Sequence, residues 1–239
     1  SNMPPDLNML IESARRHGDK TFIVEGDKRL SFDDVFRLRD ALVPHLGITT
    51  RGERVAICMR NCSEWVIGFL ASIGAGGVPA LVNSRGAPAE LAAAVEDVSP
   101  TIVLADAERA ALLREGGYQG HILETKDFPT EGEAGPPPSP AQPEDPAAIL
   151  FTSGTTGRVK GAILTHRSLM TGVMGMQLSG MMVLHGMALV LWGAQPRSVP
   201  PVSTASFSLG PLFVSGQTLY IVAVSAFVMF GLFAFFEWT

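Results

Sequence analysis

The residues of this chain best suited to chemistry are crowded between Thr152 and Lys160, which reads Thr-Ser-Gly-Thr-Thr-Gly-Arg-Val-Lys. Glycine lets a backbone approach an anion closely, while free N–H groups and hydroxyls donate hydrogen bonds to it. A lysine at the end of such a stretch can set a positive charge against outer phosphates. The stretch follows the apolar run Ala147-Ala148-Ile149-Leu150, and Leu164-Thr165-His166-Arg167 follows it. The expected layout is therefore a strand over Ala148–Thr152, a loop over Ser153–Gly161 and then a helix start, an arrangement that holds phosphates. It is not a Walker A loop, because Gly157 is followed by Arg158 and Val159 before Lys160. The competing reading is a flexible surface loop of turn formers; the lysine placed after a strand and loop weighs against it. His166, close in sequence, reads first as a helix-start residue that helps pack the loop, its alternative being a group that could approach a nucleotide.

The elements that must position this loop show an α/β rhythm. Apolar strands are predicted at Arg54–Met59, Val78–Val82, Thr101–Ala105 and His121–Leu123. Between them helices are predicted at Ser63–Ile73, Ala87–Val98 and Ala107–Leu113. Nearly continuous apolar strands alternating with helices argue for a mostly parallel sheet covered on both faces. Upstream, a helix is expected from Leu7 to Arg16. Thr21–Glu25 and Arg29–Phe32 flank Gly26-Asp27-Lys28 as a hairpin. Ser31 with Asp34 forms a capping-box signal for a helix from Phe32 to about Leu46, ended by Gly47. Residues 129–146, rich in proline and acidic side chains, read as an exposed connection.

The bulk numbers narrow the function. The net charge is −5 and the pI about 5.5, and no basic stripe interleaved with aromatics appears, so nucleic acid is not an expected partner. Cys58 and Cys62, the two cysteines, read as small hydrophobes of a reducing compartment, since no further His or Cys gathers about them as a metal site would need. The polar start, with Asp6 and Glu12, is not a secretory signal. A cytoplasmic protein is expected. Charge is unevenly spread: of 18 basic and 23 acidic residues, only Arg197 and Glu237 lie beyond residue 167. The sequence thus divides into a front domain over 1–188 and an apolar, helical tail over 189–239. Within that tail, Leu219–Phe236 has no charge and Tyr220 and Trp238 near its ends, which reads as a transmembrane helix attaching the chain to a membrane.

The run from Thr152 to Gly161 resembles the phosphate-loop signature of the adenylate-forming superfamily, which holds acyl-CoA synthetases, luciferases and the adenylation domains of peptide synthetases. Val159 stands where that family usually has proline. The likeness extends upstream through Gly52-Glu53-Arg54-Val55-Ala56, Asn61 with Glu64-Trp65, Gly74-Ala75-Gly76-Gly77-Val78 and Val82-Asn83, covering about residues 7–188. It implies two half-reactions, in which a carboxylate attacks the α-phosphate of ATP and a thiol, usually coenzyme A, then displaces AMP. It also implies that Thr152, Ser153, Gly154, Thr155, Thr156, Gly157 and Lys160 hold the phosphates, with Thr155 at Mg²⁺. The family's later adenine motif, ribose-binding Asp and C-terminal lysine domain find no match here, and Pro211-Leu212-Phe213 lacks the histidine that commonly follows it in the family. The chain is therefore expected to be inactive in the full reaction and to leave a sheet edge and apolar surface uncovered. Residues from about Gly186 to Thr239 are similar to permease subunits of branched-chain amino-acid ABC transporters. That likeness implies the alternative function, a membrane-associated transport component carrying a nucleotide-binding appendage.

Overall fold

The computed structural model describes residues 6–82, 85–152, 160–173, 206–209 and 212–215. The chain divides into two compact units, Ser1–Met181 and Met182–Thr239.

In the first unit, helix α1 (Leu7–Ser13) starts on Asp6, whose carboxylate accepts the Met9 N–H at 2.9 Å. It tightens into a 3-10 turn over Ala14–His17, so the amphipathic segment expected to Arg16 is helical throughout but not α-helical to its end. Strands β1 (Thr21–Glu25) and β2 (Lys28–Ser31) form the expected antiparallel hairpin, with Gly26 turning it at φ 58°. Helix α2 (Phe32–Leu42) carries the full capping box: Ser31 Oγ accepts from Asp34 N–H and Asp34 reaches back to the Ser31 N–H. Pro44 lies in the 3-10 segment Val43–Leu46 that comes next, and Gly47 closes it in the left-handed region at φ 67°.

A six-stranded sheet forms the body of the unit, its strands lying side by side in the order Ile122–Glu124 (β6), Ile102–Ala105 (β5), Arg54–Cys58 (β3), Val78–Leu81 (β4), Pro146–Thr152 (β7) and Lys160–Thr165 (β8). Its parallel strands are β3, β4, β5, β6 and β7. The helices between them are α3 (Ser63–Gly74), α4 (Pro88–Val98) and α5 (Ala107–Glu115). Alternation along the strands feeds two cores. Val55, Ile57, Ile102 and Leu104 pack with Val35, Leu42, Ile67 and Leu70 of α2 and α3. Ala56, Cys58, Val103 and Ala105 pack with Leu91, Val95 and Leu113 of α4 and α5. Both faces are thus covered, which is why the strands read as unbroken apolar runs. A smaller cluster joins Leu7, Ile73 and Ala147, with Leu169 and Met170 against it.

One expectation holds and one is corrected within this unit. The proline-rich segment is exposed along most of its length, as expected, and is also strapped to the body: Arg37 donates to the Thr130 carbonyl, Arg51 to that of Ser139, and the Ala141 N–H to Asp6 Oδ2 at 2.7 Å, with Ala141 itself buried. By contrast, the segment after the glycine-rich loop is a strand, β8 (Lys160–Thr165), antiparallel to β7. Helix α6 (166–173) starts only after it. Thr165 caps that helix reciprocally with Ser168: Thr165 N–H donates to Ser168 Oγ, and Ser168 N–H to Thr165 Oγ1. Among the described residues β8 has β7 as its sole strand neighbour, and Ile163 on it is 62% exposed.

In the second unit, β9 (Ser206–Leu209) and β10 (Leu212–Ser215) form an antiparallel hairpin. The tail expected to be helical is therefore extended here, as the alternation Ser206-Phe207-Ser208-Leu209 and the Gly210-Pro211 turn former favour. Residues 219–236 lie outside the described residues, among which no helix is long and apolar enough to cross a membrane.

Candidate active site

Two paired strands flank the glycine-rich segment. Strand β7 joins the sheet parallel to β4, Ala80 opposite Ile149 and Leu81 opposite Leu150. It then pairs antiparallel with β8 from Pro146↔Thr165 to Thr152↔Lys160. Residues 153–159 connect the two strands at the carboxyl ends of β4 and β7, the end of an open α/β sheet where ligands bind. The layout is strand, loop, strand rather than strand, loop, helix. The N-terminus of α6 consequently lies a full β8 strand away, about 17 Å at 3.4 Å per residue. The dipole of α6, which falls off within the first turn, therefore does not act at that end of the strand pair.

Of the residues expected to bind cofactor, Thr152 and Lys160 are brought together as the last Cα partners of the hairpin. Ser153, Gly154, Thr155, Thr156 and Gly157 lie outside the described residues, Thr155 as the expected Mg²⁺ ligand among them. No group of three or more His, Cys, Asp or Glu comes together as a metal site among the described residues.

His166 is the first residue of α6, as the helix-start reading has it, but it is not beside the loop. It sits at the opposite end of β8, buried, with Nδ1 accepting the Leu7 N–H at 3.1 Å. Burial pushes its pKa below the usual histidine value, against the opposing pull of Asp6 and Asp145 and with that of Arg51. A neutral ring is what the bond requires, since a protonated Nδ1 cannot accept.

At the carboxyl end of β3 carboxylates take up backbone N–H groups. The Arg60 N–H donates to Asp106 Oδ2 at 3.0 Å, Asp106 being also the N-cap of α5. Glu25 accepts the Ser63 N–H at 3.1 Å, at the start of α3. Ser63, through its hydroxyl and backbone, holds Glu25 below the usual carboxylate range.

Sequence reasoning passed over Asp6 and Arg39. Asp before an apolar-periodic run is a legible N-cap signal. Arg39 is nearly fully buried, donating to Asn8 Oδ1, Glu12 Oε1, Asp40 Oδ1 and the Leu70 carbonyl. Nothing in its neighbouring residues signals that network, because two of the partners come from α1.

Comparison with known proteins agrees with this architecture. The family model described as AMP-binding enzyme matches residues 10–227. The medium/long-chain-fatty-acid–CoA ligase FadD6 of Mycobacterium tuberculosis is 28% identical over 187 residues, 71% of this chain and 31% of the ligase. Tyrocidine synthase 1 of Brevibacillus parabrevis is 28% identical over 162 residues, 66% of this chain and 15% of the synthase. Among solved structures, the N-terminal subdomain of Klebsiella oxytoca NpsA shares the fold at TM-score 0.60 and 22% identity, covering 70% of this chain and 43% of that one. The chain thus spans less than half the length of each. The family match runs through residues 186–227, and nothing in these comparisons supports the likeness of that stretch to a transport permease.

Proposed function

The chain belongs to the AMP-binding enzyme family, and on that footing we propose that it is part of an enzyme that activates a small-molecule carboxylate with ATP. In the reaction a carboxylate oxygen attacks the α-phosphorus. The bond from that phosphorus to the bridging oxygen breaks, and pyrophosphate leaves with the electron pair, giving an acyl-adenylate. The observation that supports the reading is the pairing of Thr152 with Lys160 where β7, lying beside β4, reaches its carboxyl end.

The loop's N–H groups, with Thr152, Ser153, Thr155 and Thr156, would hold the β- and γ-phosphates. Lys160 would meet the charge that grows on the leaving pyrophosphate. Stabilising developing charge with groups already in place is the main source of rate in such transfers. Mg²⁺, with Thr155 as a ligand, would neutralise the phosphate oxygens. Because one relative is named a fatty-acid–CoA ligase, we take coenzyme A as the acceptor of the acyl group, its thiol displacing AMP. The transport alternative has no observation in its favour.

The test is calorimetric titration of the chain with ATP and Mg²⁺, wild type against Lys160→Ala. Binding that weakens in the variant supports the reading; equal binding in both, or none in the wild type, counts against it.

A further inference from the structure

The base of the β7–β8 hairpin is built more elaborately than an ordinary strand connection. The His166 N–H donates to the Asp145 carbonyl at 3.1 Å and the Arg167 N–H to the Pro143 carbonyl at 2.8 Å. These bonds tie the residues leaving β8 to those entering β7. Arg167 adds an ion pair to Glu144. Two side chains then fasten this base to α1: His166 Nδ1 accepts the Leu7 N–H, and Asp6 accepts the Ala141 N–H. Leu7 and Ala147 are buried together, with Leu169 and Met170 of α6 packed against them.

Directly inside this base the pairing is irregular. Pro146 pairs Thr165 and Ala148 pairs Leu164, so Ala147 is an extra residue on β7, a bulge of the kind that bends a strand and re-aims its remaining residues. A bulge is also where a hairpin can slip by one residue. A slip here would exchange the two faces of β8 and give Thr152 a neighbour of Lys160 as partner in place of Lys160. The connecting loop at the tip would then change both its length and its anchor.

We propose that His166 is a positioning residue for the Thr152–Lys160 pair, setting the register of β7 against β8 from the hairpin's base by holding the Leu7 N–H. The proposal rests on the reading of the loop between them as the nucleotide site. It assigns to a histidine remote from the phosphates a role exerted through strand register rather than through contact with ligand.

The test compares His166→Phe, which keeps a buried ring and removes the acceptor, with His166→Asn, whose Oδ1 can take the place of Nδ1. Amide hydrogen exchange is read at both ends of the hairpin, with β3 and β5 as internal reference. In His166→Phe, exchange is expected to rise at least ten-fold at Phe151, Thr152, Lys160 and Gly161, beyond any change in β3 and β5, and to return toward wild type in His166→Asn. Mg·ATP affinity should change in the same order. Exchange that rises only near residues 6–7 and 141–145 overturns the proposal, as does an equal rise across the whole sheet or a failure of asparagine to rescue. Should the wild type bind no ATP, the nucleotide reading fails, while exchange at Phe151 and Gly161 still decides whether His166 sets the register. A His166→Phe variant that does not fold sends the decision to Leu7→Pro, which removes the donor instead and is expected to loosen the same four amides.

Discussion

Thr152 and Lys160 face each other as Cα partners at the end of the antiparallel pair β7–β8, so the residues flanking the glycine- and threonine-rich segment on both sides are fixed by strand pairing. The two anchors are joined through backbone, and Lys160 owes its place to strand pairing. Replacing Lys160 by alanine leaves that pairing intact and removes one charged donor, an interaction worth about 1.5–3 kcal/mol. Mg·ATP affinity is expected to fall roughly ten- to hundred-fold with little change in melting temperature. A large drop in melting temperature would instead assign the lysine to the fold.

The second expectation concerns pH. His166 is neutral in the fold, its pKa lowered from 6.5 first by burial, whereas in the unfolded chain it titrates at about 6.5. The unfolded state therefore binds more protons below that value. The stability His166 contributes is complete above about pH 6.5 and declines as pH falls toward its folded pKa, with a slope of at most about 1.4 kcal/mol per pH unit. Glu12 is also shifted, but in the opposite region: burial raises it, the Arg15 and Arg39 guanidiniums outweigh burial, and its pKa lies below 4.5. Its contribution is lost only under more acidic conditions. Urea unfolding from about pH 7 to 5 should show the slope in wild type and a shallower one in His166→Asn; identical slopes would remove His166 as the cause.

Much of this was legible in the residues, and the misses have a common physical origin. Ser31 with Asp34, the Gly26 turn and the unbroken apolar strands β3, β4 and β5 depend on local chemistry or on burial of both faces, so they can be read from neighbours in sequence. Strand β8 could not. Gly161-Ala162-Ile163-Leu164-Thr165 is a short apolar run between a glycine-rich loop and a helix cap, and only pairing with Phe151 through Pro146 makes it a strand. That one error moved His166 from the far end of the hairpin to the side of the loop. Arg39 was hidden for a similar reason. It occupies the buried face of α2 with Val35, Phe36 and Leu42, a place that is tolerable only because Asn8 and Glu12 of α1 reach it.

The Arg39 network gives a third expectation. Arg39→Leu fits the apolar face but removes one of the two guanidiniums that Glu12 and Asp40 share, leaving Arg15 as the other. Breaking a buried pair by removing one side costs about 3–5 kcal/mol. The lower end, about 3 kcal/mol, is expected because the side chains of Glu12 and Asp40 keep 36% and 22% of their exposure. Arg39→Leu combined with Glu12→Gln and Asp40→Asn should recover part of that loss. A denaturation midpoint for the single variant equal to wild type would show that the network holds nothing.

Close packing of α5 against α4 supplies a fourth. Gly116 comes directly after α5, and a Cβ there would overlap the backbone carbonyl of Pro88 at the start of α4, with the Ala92 methyl 2.9 Å away. Because the first obstacle is backbone, no rotamer change relieves it. Gly116→Ala should destabilise the chain by about 1–3 kcal/mol, as overpacking does. By contrast, Gly47→Ala meets no neighbouring atom within 4 Å; its cost comes from its left-handed φ of 67°. Separate melting curves for the two variants should therefore both fall, and unchanged melting of Gly116→Ala would mean that α4 and α5 stand further apart than this contact allows.

The last expectation concerns the two thiols. Cys58 lies fully buried on β3 beneath α4 and α5, and burial pushes its pKa up to about 11, Asp106 adding to the rise. Cys62 precedes α3 and is only partly covered, with Met59 Sδ 3.8 Å from its sulfur; burial raises its pKa too. Only a thiolate attacks a disulfide reagent, so both should react slowly in the native protein. At about pH 8, near the pKa of an exposed thiol, titration with an aromatic disulfide reagent should show Cys62 reacting over a slow phase. Cys58 should react only as fast as the sheet opens, and addition of denaturant should release both at once. A native Cys58 that reacts as fast as a free thiol would mean that β3 is not the buried centre of the sheet, and the parallel arrangement around it would have to be abandoned.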